Sequence, residues 1–133
     1  MSQSRLSIIK MCLISLAMLL PVSSMADEPP PAFTQDRFEA LQQEGAVILV
    51  DVWASWCPTC RAQGEVLSDL LSEEDFAEVK KLRLDWDEQK EHAESLDAWR
   101  QSTLILYRGE NEMARVVAET RESALRNFLE AAL

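Results

Sequence analysis

The sequence predicts an α/β fold, a central mixed β-sheet flanked by helices on both faces, and three observations carry that expectation. A nearly continuous apolar and β-branched run over 46–53 has the pattern of a strand covered on both faces. Helix-period and strand-period stretches follow one another in the order α, β, α, β, α, β, β, α, which a sheet between two helical layers buries economically. At 133 residues the chain is long enough for one such domain and no more.

Each element has a local reason. Thr34 is placed to cap a helix over 35–44 that buries Phe38 and Leu41, with Gly45 as its stop. The strand over 46–53 is interrupted only by Asp51. Residues 61–71 are helical by pattern, with Val66, Leu67, Leu70 and Leu71 on one face. Residues 79–85 read as a second strand through Val79, Leu82 and Leu84. The stretch 88–99 reads as a polar helix anchored by Ala93, Leu96 and Trp99, and 103–107 as a further strand. Gly109 to Asn111 turns the chain into a hairpin strand over 113–118. Thr120 is expected to cap a final helix over 121–132 that turns Ala124, Leu125, Phe128 and Leu129 inward.

The first 26 residues differ from the rest, since every acidic residue lies at or beyond Asp27. A basic start at Arg5 and Lys10, an apolar run from Met11 to Leu20 and a small-residue end at Ser24-Met25-Ala26 make residues 1–26 a secretory signal peptide, cut after Ala26. The apolar run is shorter than the roughly 20 residues a spanning helix needs, so no membrane span is expected after cleavage. Residues 27–32 hold three consecutive prolines and read as an extended linker, because proline neither continues a helix nor donates to a ladder. The domain proper is expected over 33–133.

Beyond Ala26 the chain holds 107 residues, 11 of them basic and 23 acidic, for a net charge of −12. Such a balance argues against nucleic acid or an anionic lipid surface as partner. Cys57 and Cys60 are the two remaining thiols, and with His92 alone beside them they cannot complete a four-ligand zinc site within one chain. An exported chain meets an oxidising compartment, where a CxxC pair can persist as a disulfide.

Cys57-Pro58-Thr59-Cys60 follows a buried strand and opens a helix. Unpaired N–H groups and the positive end of the helix dipole favour a thiolate at Cys57, which makes it the attacking group, with Cys60 one turn on as the resolving thiol. Pro58 suits a first helical turn, where its missing N–H would have been unpaired. A structural disulfide and half of a metal site shared between two copies are the competing explanations of the pair. A haem attachment site would need His after Cys60, and the residue is Arg61.

The run Val50-Asp51-Val52-Trp53-Ala54-Ser55-Trp56-Cys57-Pro58-Thr59-Cys60 resembles the active-site strand, loop and helix start of the thioredoxin family, and the order of later elements extends the resemblance over about 33–133. The resemblance implies a thioredoxin fold, thiol–disulfide oxidoreductase activity and a redox-active Cys57–Cys60 disulfide. It implies that Asp51 is the buried acid beneath the pair, where burial disfavours a charged carboxylate and suits a proton relay to Cys60. Lys81 resembles the lysine that lies near that acid. Trp53 and Trp56 match the flanking aromatic positions. Trp56, Pro58, Thr59, Ser102 and Thr103 are the implied substrate-facing residues.

Two positions depart from the family. Ser102 stands where a cis-proline is usual; a non-proline cis bond costs about 2.5–4 kcal/mol, so the peptide before it is expected to be trans. Its hydroxyl could hydrogen-bond a thiolate, and loss of the proline could open space for a metal ion. Gly64-Glu65 stands where a kinking proline often follows the motif, so the helix is expected to be straighter or to bend at Gly64.

The resulting expectation is a periplasmic thiol–disulfide oxidoreductase of protein substrates, working as a monomer in the reducing direction with a membrane thiol reductase as electron donor. No flavin, nicotinamide or metal is implied. The rival is a thioredoxin-like binding module that uses the cysteine pair to hold a metal or a client protein.

Overall fold

A four-stranded sheet runs in the order β2 (Lys80–Asp85), β1 (Val47–Trp53), β3 (Thr103–Arg108), β4 (Asn111–Val117), with β1 and β3 as its inner strands. The computed structural model describes residues 30–133; the expected signal peptide over 1–26 and linker residues 27–29 lie outside the described residues. β1 pairs in parallel with β2 and antiparallel with β3, and β3 forms a hairpin with β4. The parallel pair needs a crossover, which α2 (Pro58–Leu71) provides. α1 (Gln35–Gln43), α3 (Lys90–Ser95) and α4 (Glu122–Glu130) complete the layers.

Strand period sorts the two cores. On one face Ile48, Val50 and Val52, with Leu82, Leu84 and Ile105, pack against Phe38 and Leu41 of α1 and Ala93 of α3. On the other, Val47, Leu49, Leu104 and Leu106 meet Leu67 and Leu70 of α2 and Leu125, Phe128 and Leu129 of α4. Asp51 shares the parity of Val47 and Leu49, so the only acid in β1 points to the α2 side, beneath the cysteines.

Thr34 caps α1 by accepting from the Arg37 N–H at 3.2 Å, and Gly45 (φ 70°) ends the helix in the left-handed region. Gly109 (φ 57°) turns the β3–β4 hairpin. α2 extends the periodic stretch over 61–71 back to Pro58, which stands in the first turn as its missing N–H suggests, and it runs unbroken through Gly64. Several sequence expectations are corrected. α3 stops at Ser95: Asp97 takes a left-handed φ of 53°, and Trp99 is 67% exposed rather than an anchor. With Ala93 as its one buried side chain, this segment has too little apolar surface to hold a longer helix. α4 is capped without Thr120; Glu119 Oε1 instead accepts from the Thr120 and Arg121 N–H groups at 3.0 and 2.8 Å. The acidic stretch after α2 forms a 3-10 turn, Glu74–Phe76, that buries Phe76.

The end of the proline segment is attached to the sheet. Ala32 bridges in parallel to Arg83; the Pro31 carbonyl accepts from Arg83 N–H at 2.9 Å, and Phe33 N–H donates to the Arg83 carbonyl at 2.7 Å. Proline takes part here because only its acceptor is used. No helix among the described residues is long and apolar enough to cross a membrane.

Candidate active site

Cys57 is the N-cap of α2: its φ of −92° is extended, and its sulfur accepts the Cys60 backbone N–H at 3.1 Å. A sulfur in this position meets one of the unpaired donors of a helix start and the positive end of its dipole. Cys57 and Cys60 are joined as a disulfide with Cα atoms 5.3 Å apart. Both sulfur-bearing residues are buried, packed with Ala54, Trp53 and Trp86.

Ser102 faces the pair. Its Oγ lies 3.1 Å from the sulfur of Cys57 and 3.1 Å from that of Cys60, and the residue is 1% exposed. Among the described residues no group of three His, Cys, Asp or Glu side chains that could hold a metal ion is found. The peptide before Ser102 is trans, as are all described peptides, and Ser102 itself takes a φ of 61°. A left-handed L-residue costs about 1–2 kcal/mol. Three hydrogen bonds hold it there: Ser102 N–H to the Val52 carbonyl at 2.8 Å, and its own carbonyl accepting from Ala118 N–H at 2.9 Å and from Gln63 Nε2 at 3.3 Å.

Asp51 lies beneath, 1% exposed. Lys81 Nζ approaches its Oδ2 at 3.0 Å and Arg83 Nε at 3.8 Å. Arg83 is too far for a hydrogen bond and the Lys81 contact is not one either, so Oδ2 is a buried acceptor with ion pairs but no hydrogen-bond donor. The guanidinium of Arg83 stacks 4.6 Å over the Trp53 ring. Lys81 and Cys60 both line one groove between α2 and β2.

The remaining expected residues divide. Trp56 is 55% exposed beside Cys57, its ring held by an Nε1 donation to Asp87 Oδ2 at 2.8 Å. Pro58 is exposed and Thr59 half-buried at the start of α2. Thr103 turns away from solvent: it is 2% exposed, and its Oγ1 donates to the Arg100 carbonyl at 2.7 Å, bracing the loop that presents Ser102. Gln63, Arg83 and Asp87 join the site beyond the residues that the sequence singles out. Gln63 is fully buried, and its spacing of three from Cys60, on the same face of α2, was the available signal.

The thioredoxin family model matches residues 30–131. The chain belongs to the thioredoxin family. It is 31% identical over 96 residues to the thioredoxin of Chlamydia pneumoniae, a match covering 72% of this chain and 91% of that one. It is 39% identical over 59 residues to the thiol:disulfide interchange protein DsbE of Yersinia pestis, covering 38% of this chain and 31% of the relative, so it spans about a third of that protein's length. Among solved structures, Trxlp from Edwardsiella tarda EIB202 superposes with a TM-score of 0.73 at 36% identity, covering 76% of this chain and 98% of the other. With its CxxC pair in place, this thioredoxin-like chain is a thiol–disulfide oxidoreductase.

Proposed function

We propose that this thioredoxin-like chain is exported to the periplasm and reduces protein disulfides there, drawing electrons from a membrane thiol reductase. The observation that carries the exchange chemistry is the convergence on Cys57 of a helix N-terminus, the Cys60 N–H at 3.1 Å and the Ser102 hydroxyl at 3.1 Å, all of which favour negative charge on that sulfur and make it the attacking group; the direction of exchange is what the potential below tests.

In the reduced protein the Cys57 thiolate attacks one sulfur of a substrate disulfide. A Cys57–substrate bond forms, the substrate S–S bond breaks, and the first substrate thiolate leaves. The Cys60 thiol then loses its proton, and the Cys60 thiolate attacks Cys57. The internal disulfide forms and the second substrate thiolate departs, so the substrate gains the two electrons that the dithiol loses. Asp51 is the assigned proton acceptor: its Oδ2 is buried and has no hydrogen-bond donor, and Lys81 both pairs with it and lines the groove that Cys60 lines. Trp56 and Pro58 offer exposed surface beside Cys57 for the substrate chain.

Export is supported by the charge, apolar and small-residue pattern of residues 1–26. A monomer suffices, since all the site groups come from one chain. Three measurements test the proposal. Insulin disulfide reduction by dithiothreitol should be accelerated by the chain and not by its Cys57→Ser variant; equal rates overturn it. Equilibration with glutathione should give a potential in the reducing range of thioredoxins, near −270 mV rather than −120 mV. N-terminal sequencing of the exported product should begin at Asp27.

A further inference from the structure

The basic residues of this acidic chain are unevenly placed. Of the 11 beyond Ala26, five line one groove between α2, β2 and the end of the proline segment: Arg37, Arg61, Lys80, Lys81 and Arg83. Facing them are only Glu65 and Asp69. Lys81 and Arg83 share the single carboxylate of Asp51. Lys80 reaches only the exposed Glu78, at 4.0 Å, and Arg37 and Arg61 have no ion-pair partner among the described residues. A chain of net charge −12 therefore carries a local excess of positive charge in a concave place, where low-dielectric walls focus the field.

The groove is large, about 940 Å³, and its walls are apolar at Pro31, Trp53, Leu71 and Val79. At Gly64 it has a gap: a Cβ built there meets no heavy atom within 4 Å. An inorganic anion needs several donors converging on one point, whereas these cations are spread over α1, α2 and β2. Spread charges over an apolar floor fit an extended ligand whose carboxylates alternate with apolar side chains.

We infer that this groove docks an acidic peptide segment of a partner protein, with an apolar side chain seated beside Gly64 and Trp53 and carboxylates meeting Arg37, Arg61 and Lys80. Trp56 and Ser102, which flank Cys57, do not line the groove, so a partner can be held there while its own or another chain's disulfide meets the thiolate. Cys60, Lys81 and Trp53 line it, which ties occupancy to the side of the pair where the proton leaves. The inference does not depend on the direction of exchange.

The test is fluorescence anisotropy of a dye-labelled Glu-Leu-Asp-Glu-Phe-Glu peptide titrated with the oxidised full chain at low salt, with Lys-Leu-Lys-Lys-Phe-Lys as control. Saturable binding of the acidic peptide alone is expected below about 1 mM, the weak end of specific recognition. Arg37→Glu with Lys80→Glu should weaken it at least tenfold, and Gly64→Met, which fills the gap without touching a charge, should weaken it as much. Both variants should keep the insulin-reduction rate, so loss of binding is read separately from loss of exchange. Wild-type affinity in either variant overturns the proposal, as does equal binding of the lysine peptide. Displacement by inorganic phosphate at equal concentration overturns it in favour of a simple anion site. A dimer seen by sedimentation and lost in Arg37→Glu/Lys80→Glu overturns it in favour of a second copy of this chain as occupant.

Discussion

Replacing Ser102 by alanine removes one atom from the centre of the site and leaves the backbone able to stay as it is. Ser102 Oγ lies 3.1 Å from each sulfur and is shielded from water, with the residue 1% exposed. One O–H can serve one sulfur at a time, and in the reduced protein the charged Cys57 sulfur is the stronger acceptor. Hydrogen bonds to charged groups contribute about 1.5–3 kcal/mol; with the Cys60 N–H already donating to the same sulfur, the low end applies. About 1.4 kcal/mol is one decade in thiolate population. A more basic thiolate is also about threefold more nucleophilic per decade, so alkylation by iodoacetamide on the acid side of the Cys57 titration should slow about three- to fourfold. Destabilising the reduced form by the same amount lowers the reduction potential by about 30 mV. Ser102→Gly separates chemistry from strain. It loses the same hydroxyl but relieves the φ of 61°, so it should share the redox change while being at least as stable as Ser102→Ala. Alkylation rates and potentials unchanged in both variants would refute a hydrogen bond from Ser102 to the thiolate.

Asp51→Asn keeps the shape of the side chain and removes the proton acceptor. Attack by Cys57 should persist while release of the mixed disulfide slows about 100-fold or more, so rapid-quench mass spectrometry should trap the Cys57–substrate adduct; wild-type release would remove Asp51 from the relay. Gly45→Ala and Gly109→Ala each force alanine into a left-handed conformation, at about 1–2 kcal/mol. Gly109→Ala should cost more, because its Cβ would lie 3.3 Å from the Gln42 carbonyl oxygen, whereas Gly45 has open space; thermal melts should rank them in that order. Arg121 holds the Glu119 carboxyl at about 2, below its ordinary 4.5, first through its side-chain hydrogen bond and then through its backbone N–H. A depressed carboxyl stabilises the fold above its unfolded value and loses that contribution as pH falls through the folded one. The urea midpoints of wild type and Glu119→Gln should therefore differ at pH 6 and converge between about 4.5 and about 2. Glu73 and Glu112, lowered by hydrogen bonds from Arg126 and Arg115, act with the same sign.

What could be read from the chain follows from how local each cause is. β1 was legible because burial on both faces leaves an almost unbroken apolar run, and Thr34 and Gly45 because caps are set by neighbours a few residues away. The cysteine pair was legible because a strand, a loop and a helix start are contiguous. The partnership of Asp51 with Lys81 was not visible in the residues themselves, since Lys80 stands beside Lys81. The parallel register settles it: Leu49 faces Lys81 and Asp51 faces Arg83, which puts the side chains of 51, 81 and 83 on one face and turns Lys80 away from Asp51. Phe76 follows three acids, a context that signals solvent, and Trp99 has the helical spacing of an anchor in a helix that stops at Ser95. Gln63 is a polar residue in an amphipathic helix, a pattern that signals solvent until a tertiary partner claims it.

Ser102, where the sequence departs from its family, is also the most informative position of the site. A proline at this position would carry no N–H, so replacing it creates a donor that a buried site must satisfy. The chain satisfies it by donating to Val52 at 2.8 Å, next to the Val52–Thr103 pair at the end of the β1–β3 ladder. The Ser102 carbonyl is taken by Ala118 and Gln63, so both backbone groups of this residue are consumed internally. A substrate chain cannot use either without breaking a native bond. The part of Ser102 that faces the reacting sulfurs is its hydroxyl, and whatever this residue contributes to exchange must pass through that one O–H. Backbone strain at φ 61° accompanies that placement, and it is the part that Ser102→Gly removes while the loss of the hydroxyl stays.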